Sequence, residues 1–162
     1  MQNVVVRNIE PNDNAALASI IRRSLEEFNA AKYGTVYFDK ATDHLYELFS
    51  STPNSIYFVA ELNGTIIGGA GIFPTANLPE GYCELVKMYL SKDARGLGLG
   101  RMMISKCLEA AKEMGFTKVY LESMPELSRA IQVYEKFGFK YLKGSLGNSG
   151  HTGCDIWMEK EL

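Results

Sequence analysis

Arg95, Gly96, Gly98, Gly100 and Arg101 lie within a single short stretch of the chain. An apolar, β-type run ending at Leu90 precedes them, and an amphipathic pattern beginning near Leu99 follows. A strand that passes through glycines into a helix start is built to hold an anion. The N–H groups of a helix's first turn lack partners and carry partial positive charge. Glycine has no Cβ, so a phosphate can approach its backbone closely. The dinucleotide fingerprint G-x-G-x-x-G fails here, because from Gly96 the third glycine would fall on Arg101. No G-K-[ST] follows, so the stretch is not a nucleoside-triphosphate loop either. The remaining pattern is R-x-x-G-x-G at Arg95, Gly98 and Gly100, and it suits a diphosphate.

The elements that position this loop follow from hydrophobic periodicity. Val4, Val5, Val6 and Ile9 form a short strand, ended by Glu10-Pro11-Asn12-Asp13, where Asn12 or Asp13 is placed to cap a helix. Leu17, Ile20, Ile21, Leu25 and Phe28 recur at helical spacing. Residues 29–40 are aromatic and show no period, and Leu45, Leu48 and Phe49 predict a second, short helix. Residues 55–62 and 65–73 read as strands joined by Asn63-Gly64, a strong hairpin signal. Gly68, Gly69 and Gly71 inside the return strand mark a bulge or a close backbone approach.

Residues 82–90 form the strand before the loop. The helix after it carries Leu99, Met103, Cys107, Ala110 and Met114 on one face and ends at Gly115. A strand at 118–123 follows, then a helix opened by Pro125 with Ala130, Ile131, Val133, Tyr134 and Phe137 as apolar positions. Two final strands, at 139–142 and 154–158, flank a glycine-rich loop. The order β-α-α-β-β-β-α-β-α-β-β predicts an α/β (α+β) mixed sheet covered by helices, with at least one parallel pair, in one domain spanning 1–162.

Bulk properties exclude several function classes. A net charge of -2 provides no electrostatic basis for binding nucleic acid. Three scattered cysteines without a C-x-x-C pair predict free thiols and a cytoplasmic protein. The N-terminus, from Met1 and Gln2 onward, lacks the pattern of a signal peptide, and no stretch is long enough to span a bilayer. His151 and Cys154, two candidate ligands three apart without a partner pair, fall short of a metal site, so no metal is expected. Tyr33, Tyr37 and Phe38 either shape a pocket or pack in the core, and Trp157 is expected in the core or at a homodimer interface.

The loop Arg95-Gly-Leu-Gly-Leu-Gly100 resembles the acyl-CoA pyrophosphate loop of the GNAT superfamily of N-acetyltransferases, whose pattern is Q/R-x-x-G-x-G/A. Ala130-Ile-Gln-Val-Tyr-Glu-Lys-Phe-Gly-Phe139 resembles that family's A-x-x-x-Y-x-x-x-G-F block, and the element order agrees over essentially the whole chain. The resemblance implies an enzyme in which an amine attacks the thioester of acetyl-CoA directly, through a tetrahedral intermediate. The cofactor would lie where strands four and five splay apart.

Carried over residue by residue, the resemblance assigns the pantetheine arm to the backbone of Met88, Tyr89 and Leu90. The diphosphate goes to Arg95 and the N–H groups of Gly96, Leu97, Gly98, Leu99, Gly100 and Arg101. A backbone N–H of Met88 or Tyr89 would polarise the thioester carbonyl.

Tyr134 matches the tyrosine that protonates the departing thiolate. Glu84 stands at the offset before Arg95 at which several relatives carry a general base, and strand alternation puts it on one face with Val86 and Met88. Relatives often carry asparagine where this chain has Leu127, so Ser128 is the expected substitute for that cofactor contact. The acceptor is an unidentified primary amine. The alternative to an enzyme is a non-catalytic acyl-CoA-binding sensor, against which the presence of both Glu84 and Tyr134 argues. The segment from Gly147 to Trp157 looks like a subfamily signature without an assigned role.

Overall fold

The computed structural model describes residues 3–162, so the reading of Met1 and Gln2 lies outside the described residues. In chain order the elements are β1 (Val4–Asn8), α1 (Asn14–Glu27), α2 (Leu45–Ser50), β2 (Ile56–Leu62), β3 (Thr65–Phe73) and β4 (Tyr82–Leu90). Then come α3 (Leu99–Glu113), β5 (Lys118–Ser123), α4 (Ser128–Lys136), β6 (Lys140–Tyr141) and β7 (Ile156–Glu161). Short 3-10 turns fill several connections. The order of strands and helices is the one that periodicity predicts.

The seven strands form one sheet in the order β1-β2-β3-β4-β5-β7-β6. Neighbours are antiparallel except β4 and β5, which the α3 crossover makes parallel. Asn63 and Gly64 both have positive φ, 51° and 83°, as the two-residue turn between β2 and β3 requires.

Each face of the sheet carries its own core. On one face Leu99, Met103 and Cys107 of α3 and Tyr134 of α4 pack against Cys83 and Leu85 of β4. On the other, Leu17, Ile21 and Leu25 of α1 and Leu45 and Phe49 of α2 pack against Tyr57 and Val59 of β2. Asp13 is buried at the start of α1, yet its carboxylate caps nothing in that helix. It accepts two hydrogen bonds from the Arg7 guanidinium, at 2.8 and 2.9 Å, and one from the Glu10 N–H at 2.7 Å. Arg7 also reaches Glu61 at 2.9 Å, so a single cation ties β1, the entry to α1 and β2.

The glycines of β3 have a specific purpose. Val86 pairs with Gly71 and Tyr89 with Gly69, so Lys87 and Met88 together face the single residue Ala70. This is a β-bulge, and Lys87 adopts φ 50° within it. The extra residue reverses the alternation. Val86 and Tyr89 pack on the α1 face, whereas Met88 packs with Leu90 on the α3 face. Glu84 and Met88 therefore do not share a face, contrary to the period-two reading, because the bulge flips every side chain beyond it.

Tyr57, fully buried, reaches across β3 and donates its hydroxyl to the Lys87 carbonyl at 2.8 Å. Its ring lies directly over Gly69 and Gly71. A Cβ at Gly69 would stand 2.4 Å from Tyr57 Cε1 and 2.8 Å from the Phe58 carbonyl oxygen, and one at Gly71 would stand 2.7 Å from Tyr57 Cδ2. Gly69→Ala is therefore expected to cost about 1–3 kcal/mol, because backbone as well as ring must move. Thermal denaturation should show a fall in Tm for Gly69→Ala but not for Gly144→Ala, whose Cβ would meet nothing within 4 Å.

Candidate active site

The parallel pairing of β4 with β5 spans only Tyr82–Lys118, Cys83–Val119 and Glu84–Tyr120. Beyond Glu84 the strands part, and the edge of β4 from Leu85 to Leu90 has no strand against it on that side. A groove of about 340 Å³ opens there. Met88, Tyr89 and Leu90 line it from β4, and Ala130, Val133 and Tyr134 from α4.

One end of the groove is the glycine loop. Gly96 and Gly98 take φ of 80° and 73°, which L side chains adopt only with strain. A Cβ at either would meet nothing within 4 Å, so the loop needs glycine there for conformation rather than room. Among the described residues, the N–H groups of Gly96, Leu97, Gly98, Leu99, Gly100 and Arg101 find no protein acceptor; the next amide, Met102, bonds the Gly98 carbonyl at 3.2 Å. Such a run of amides at a helix start is a cradle for an anion.

The cations around this cradle are arranged differently from the sequence expectation. The Arg95 guanidinium is held bidentately by Glu27 of α1, at 2.6 and 2.7 Å, and stacks 4.9 Å from the Phe28 ring centroid. Arg95 thus fastens the loop to α1, which leaves Arg101 as the exposed cation of the loop. Arg129, in the first turn of α4, lines the groove from the opposite side. Leu97 is exposed and lies outside the groove lining. Ser128, expected at the cofactor, is exposed and also outside it; its neighbours Leu127 and Arg129 face the groove instead.

Tyr134 is buried in the wall of the groove, with its ring tilted against Phe139. Its hydroxyl has no hydrogen-bond partner among the described residues, and burial pushes the phenol well above its ordinary value. It therefore carries a proton at any physiological pH.

A second, smaller pocket of about 50 Å³ opens on the α1 side of the sheet and contains Glu84. It shares Leu85, Lys87, Tyr89, Glu122, Ser123 and Leu127 with the groove, so the two meet at the gap between β4 and β5. Glu84 is 4% exposed and accepts a hydrogen bond from the Thr75 hydroxyl at 2.5 Å. Burial raises its pKa to about 7, against the lowering effect of Thr75; nearby Glu122 adds to the rise and Lys87 opposes it. A carboxyl so poised exchanges protons near neutrality.

The glycine-rich loop between β6 and β7 walls this pocket. The Ser149 hydroxyl donates to Glu122 at 2.5 Å, and His151 Nε2 lies 3.2 Å from Asp39. The Gly153 N–H donates to the Gly34 carbonyl at 2.8 Å, and the Asn148 N–H to the Ala76 carbonyl at 2.7 Å. The stretch that lacked a role in the sequence therefore fastens three separate segments around Glu84. His151 and Cys154 both line the pocket, and no cluster of three or more His, Cys, Asp or Glu suited to a metal occurs among the described residues.

Thr75, Lys87, Glu122 and Arg129 escaped the sequence reading. Thr75 was accessible in principle, since pairing Phe73 with Glu84 puts it just beyond the end of β3 on the glutamate's side. The other three depend on the splay and on where the bulge falls; the glycines of β3 signal a bulge but not which β4 residues it displaces. The cysteines Cys83, Cys107 and Cys154 are free, and no helix among the described residues is long and apolar enough to cross a membrane.

Comparison with known proteins agrees with this architecture. The model of the acetyltransferase (GNAT) family matches residues 20–139. An uncharacterized N-acetyltransferase of Escherichia coli, YjgM, is 38% identical over 162 residues, covering 99% of this chain and 96% of that protein. The IAA acetyltransferase of Azospirillum brasilense is 27% identical, with 100% of both chains covered. Among solved structures, a GNAT-family acetyltransferase of Staphylococcus aureus superposes with a TM-score of 0.84 at 18% identity, covering 98% of this chain and 99% of that one. The PaiA N-acetyltransferase of Thermoplasma acidophilum, solved with coenzyme A, superposes with a TM-score of 0.76 at 20% identity, each chain being 99% covered. The chain belongs to the GNAT family and is an N-acetyltransferase.

Proposed function

We propose that the protein transfers the acetyl group of acetyl-CoA directly to a primary amine, with Glu84 as general base and Tyr134 as general acid. The observation that carries this reading is the junction of groove and pocket. The unpartnered amides and Tyr134 lie along the groove, Glu84 lies in the pocket, and the two spaces meet only where β4 leaves β5. The coenzyme A in the Thermoplasma acidophilum structure supports assigning the groove to this cofactor.

The amides from Gly96 to Arg101, with the Arg101 guanidinium, suit a diphosphate in charge and direction. The uncovered backbone edge from Met88 to Leu90 offers hydrogen bonds to the amides of a pantetheine arm. Acetyl-CoA would supply the activated acyl thioester; the protein supplies position and proton traffic. A free alkylammonium has a pKa of about 10, so its nitrogen is not nucleophilic until a base relieves it of a proton. Glu84 takes that proton. The same pocket desolvates the ammonium and lowers its pKa, as burial does for Lys87. Tyr134 then gives its hydroxyl proton to the departing sulfur. Burial disfavours thiolate as it disfavours phenolate, as the raised pKa of Cys107 in the same core shows, so the transfer stays matched.

These assignments fix three outcomes. The kcat/KM should rise with pH through about 7, the pKa of Glu84, because the ionised carboxylate is the active form. Thr75 stabilises that ionised form, so Thr75→Val should raise the pKa and move the limb to higher pH. Glu84→Gln should abolish the limb. Profiles of free-thiol release against pH test both, and a limb unmoved by either change would place the base elsewhere.

Tyr134→Phe should lower kcat by about 100-fold or more while the KM for acetyl-CoA changes little. An unchanged kcat in steady-state assays removes Tyr134 as the acid. Gly98→Ala should weaken coenzyme A binding about 5–30-fold by calorimetry, since a Cβ strains the left-handed loop. Wild-type affinity in that variant would contradict the assignment of the loop to the diphosphate.

A further inference from the structure

The pocket around Glu84 holds three charged groups besides His151, namely Glu84, Lys87 and Glu122, and their partners differ. Glu122 accepts hydrogen bonds from the Tyr120 hydroxyl at 2.7 Å and the Ser149 hydroxyl at 2.5 Å, one on each carboxylate oxygen. Asp39, just behind the pocket wall, accepts from the Ala41 N–H at 3.0 Å and lies against His151. Glu84 has one oxygen engaged by Thr75 and one without a protein donor.

Lys87 is the exception. Its ammonium has neither a hydrogen bond nor an ion pair among the described residues; Asp39 and Glu84 act on it only at a distance. The side chain is partly buried, it lines both the pocket and the groove, and burial lowers its pKa. A partly buried ammonium that lines a pocket and has no protein partner is placed to receive an anion there. Its placement is also constrained. Lys87 occupies the bulge with φ 50°, a conformation that strains a residue with a Cβ, and Tyr57 holds its carbonyl there at 2.8 Å.

We infer that the amine acceptor also carries an anionic group, most simply a carboxylate, which binds the Lys87 ammonium while the acceptor's nitrogen faces the open oxygen of Glu84. The acceptor is thus a small amino carboxylate, such as a free amino acid. This inference rests on the proposed transfer to an amine in this pocket and names the class of that amine. Two features support it. Glu84 and Lys87 stand three residues apart on one strand, about 10 Å at ordinary strand rise, less the shortening of the bulge, so their side chains can converge on one compact molecule. The pocket, at about 50 Å³, is small beside the groove. A polyamine fits poorly, because its second ammonium would meet Lys87 with like charge.

The test uses the purified full chain with acetyl-CoA and measures free-thiol release. The panel pairs free L-amino acids, β-alanine and 4-aminobutyrate with their carboxamides, and adds putrescine, spermidine and a short peptide amidated at its C-terminus. The expected result is a kcat/KM at least about 10-fold higher for the best carboxylate than for its amide, carried mainly by KM. Lys87→Met should raise KM for that carboxylate about 10- to 100-fold more than for its amide, so the preference collapses; Lys87→Arg should restore part of it.

Lys87 also helps hold Glu84 ionised, but loss of that effect would move the pH limb equally for both members of a pair. An equal loss on acid and amide therefore overturns the inference. So does preferred turnover of polyamines or of the amidated peptide, which would leave acetyl transfer itself intact. Absence of thiol release with every amine, while coenzyme A still binds by calorimetry, overturns transfer at this site and the inference with it.

Discussion

The hydrogen bond from the Tyr57 hydroxyl to the Lys87 carbonyl is the contact on which the site depends. A parallel strand pair left to itself would extend its ladder. The β4–β5 ladder stops after three register pairs, at Glu84, and three residues further on β4 bulges against β3 and its side chains change faces. The bulge leaves Lys87 in a left-handed conformation that ordinary pairing would not hold. A buried tyrosine from two strands away satisfies the displaced carbonyl, and it crosses β3 only because Gly69 and Gly71 have no side chains to block it. β-branched residues fit a strand better than glycine, but at positions 69 and 71 they would leave no path for the ring.

Once the strands part, the electrostatics follow from which face each group occupies. Glu84 precedes the bulge and points into the α1 side, among Val86, Tyr89 and Met124. Its carboxyl is raised toward neutrality mainly by that burial, and Thr75 restrains the rise through one short hydrogen bond. Without Thr75 the pKa would rise further, and a second donor would lower it. Tyr134 lies on the α3 side, where the surroundings are apolar and the phenol stays protonated. Of these two titratable groups, Glu84 exchanges its proton near neutrality while Tyr134 keeps its own.

Much of this was legible in the residues. The bounds of β4 and β5 match the periodic reading, and the hairpin at Asn63-Gly64 forms with both residues at positive φ. These features are local: strand propensity, turn chemistry and amphipathic spacing act within a few positions. The glycines of β3 were read as a bulge or a close approach, and both occur, but the ring that approaches comes from another strand, and nothing near Gly69 names Tyr57. The face of Met88 was misassigned because alternation counts residues and a bulge adds one.

Where relatives carry asparagine, the contact was expected to be lost or taken over by Ser128; Ser128 is exposed outside the groove, which Leu127 and Arg129 line on either side of it. Arg95 was read as a cation for phosphate; it lines the groove, but nothing in the sequence signals that Glu27, 68 positions earlier, also engages it. The loop between β6 and β7 was the least legible part. Its contacts run to Gly34, Asp39, Ala76 and Glu122, and each joins segments far apart in the chain.

The division of the site between two faces also constrains how an acetyl group could pass. Glu84 and Tyr134 lie in different layers, and a continuous sheet would separate them by its full thickness. The passage between the layers is the gap below Glu84, lined by Leu85, Lys87, Tyr89, Glu122, Ser123 and Leu127. An amine approaching from the α1 side and a thioester lying on the α3 side can meet only inside that gap. Under the proposed transfer, the sheet would do the work of orientation, with each reactant confined to its own layer and the reacting atoms face to face where the layers communicate. A covalent relay through a side chain is unnecessary in such an arrangement. The three cysteines fit this, since Cys83 and Cys107 are sealed in the core with raised pKa values, and burial raises Cys154 to about 12, far from a reactive thiolate. Direct transfer is the chemistry that a split sheet favours.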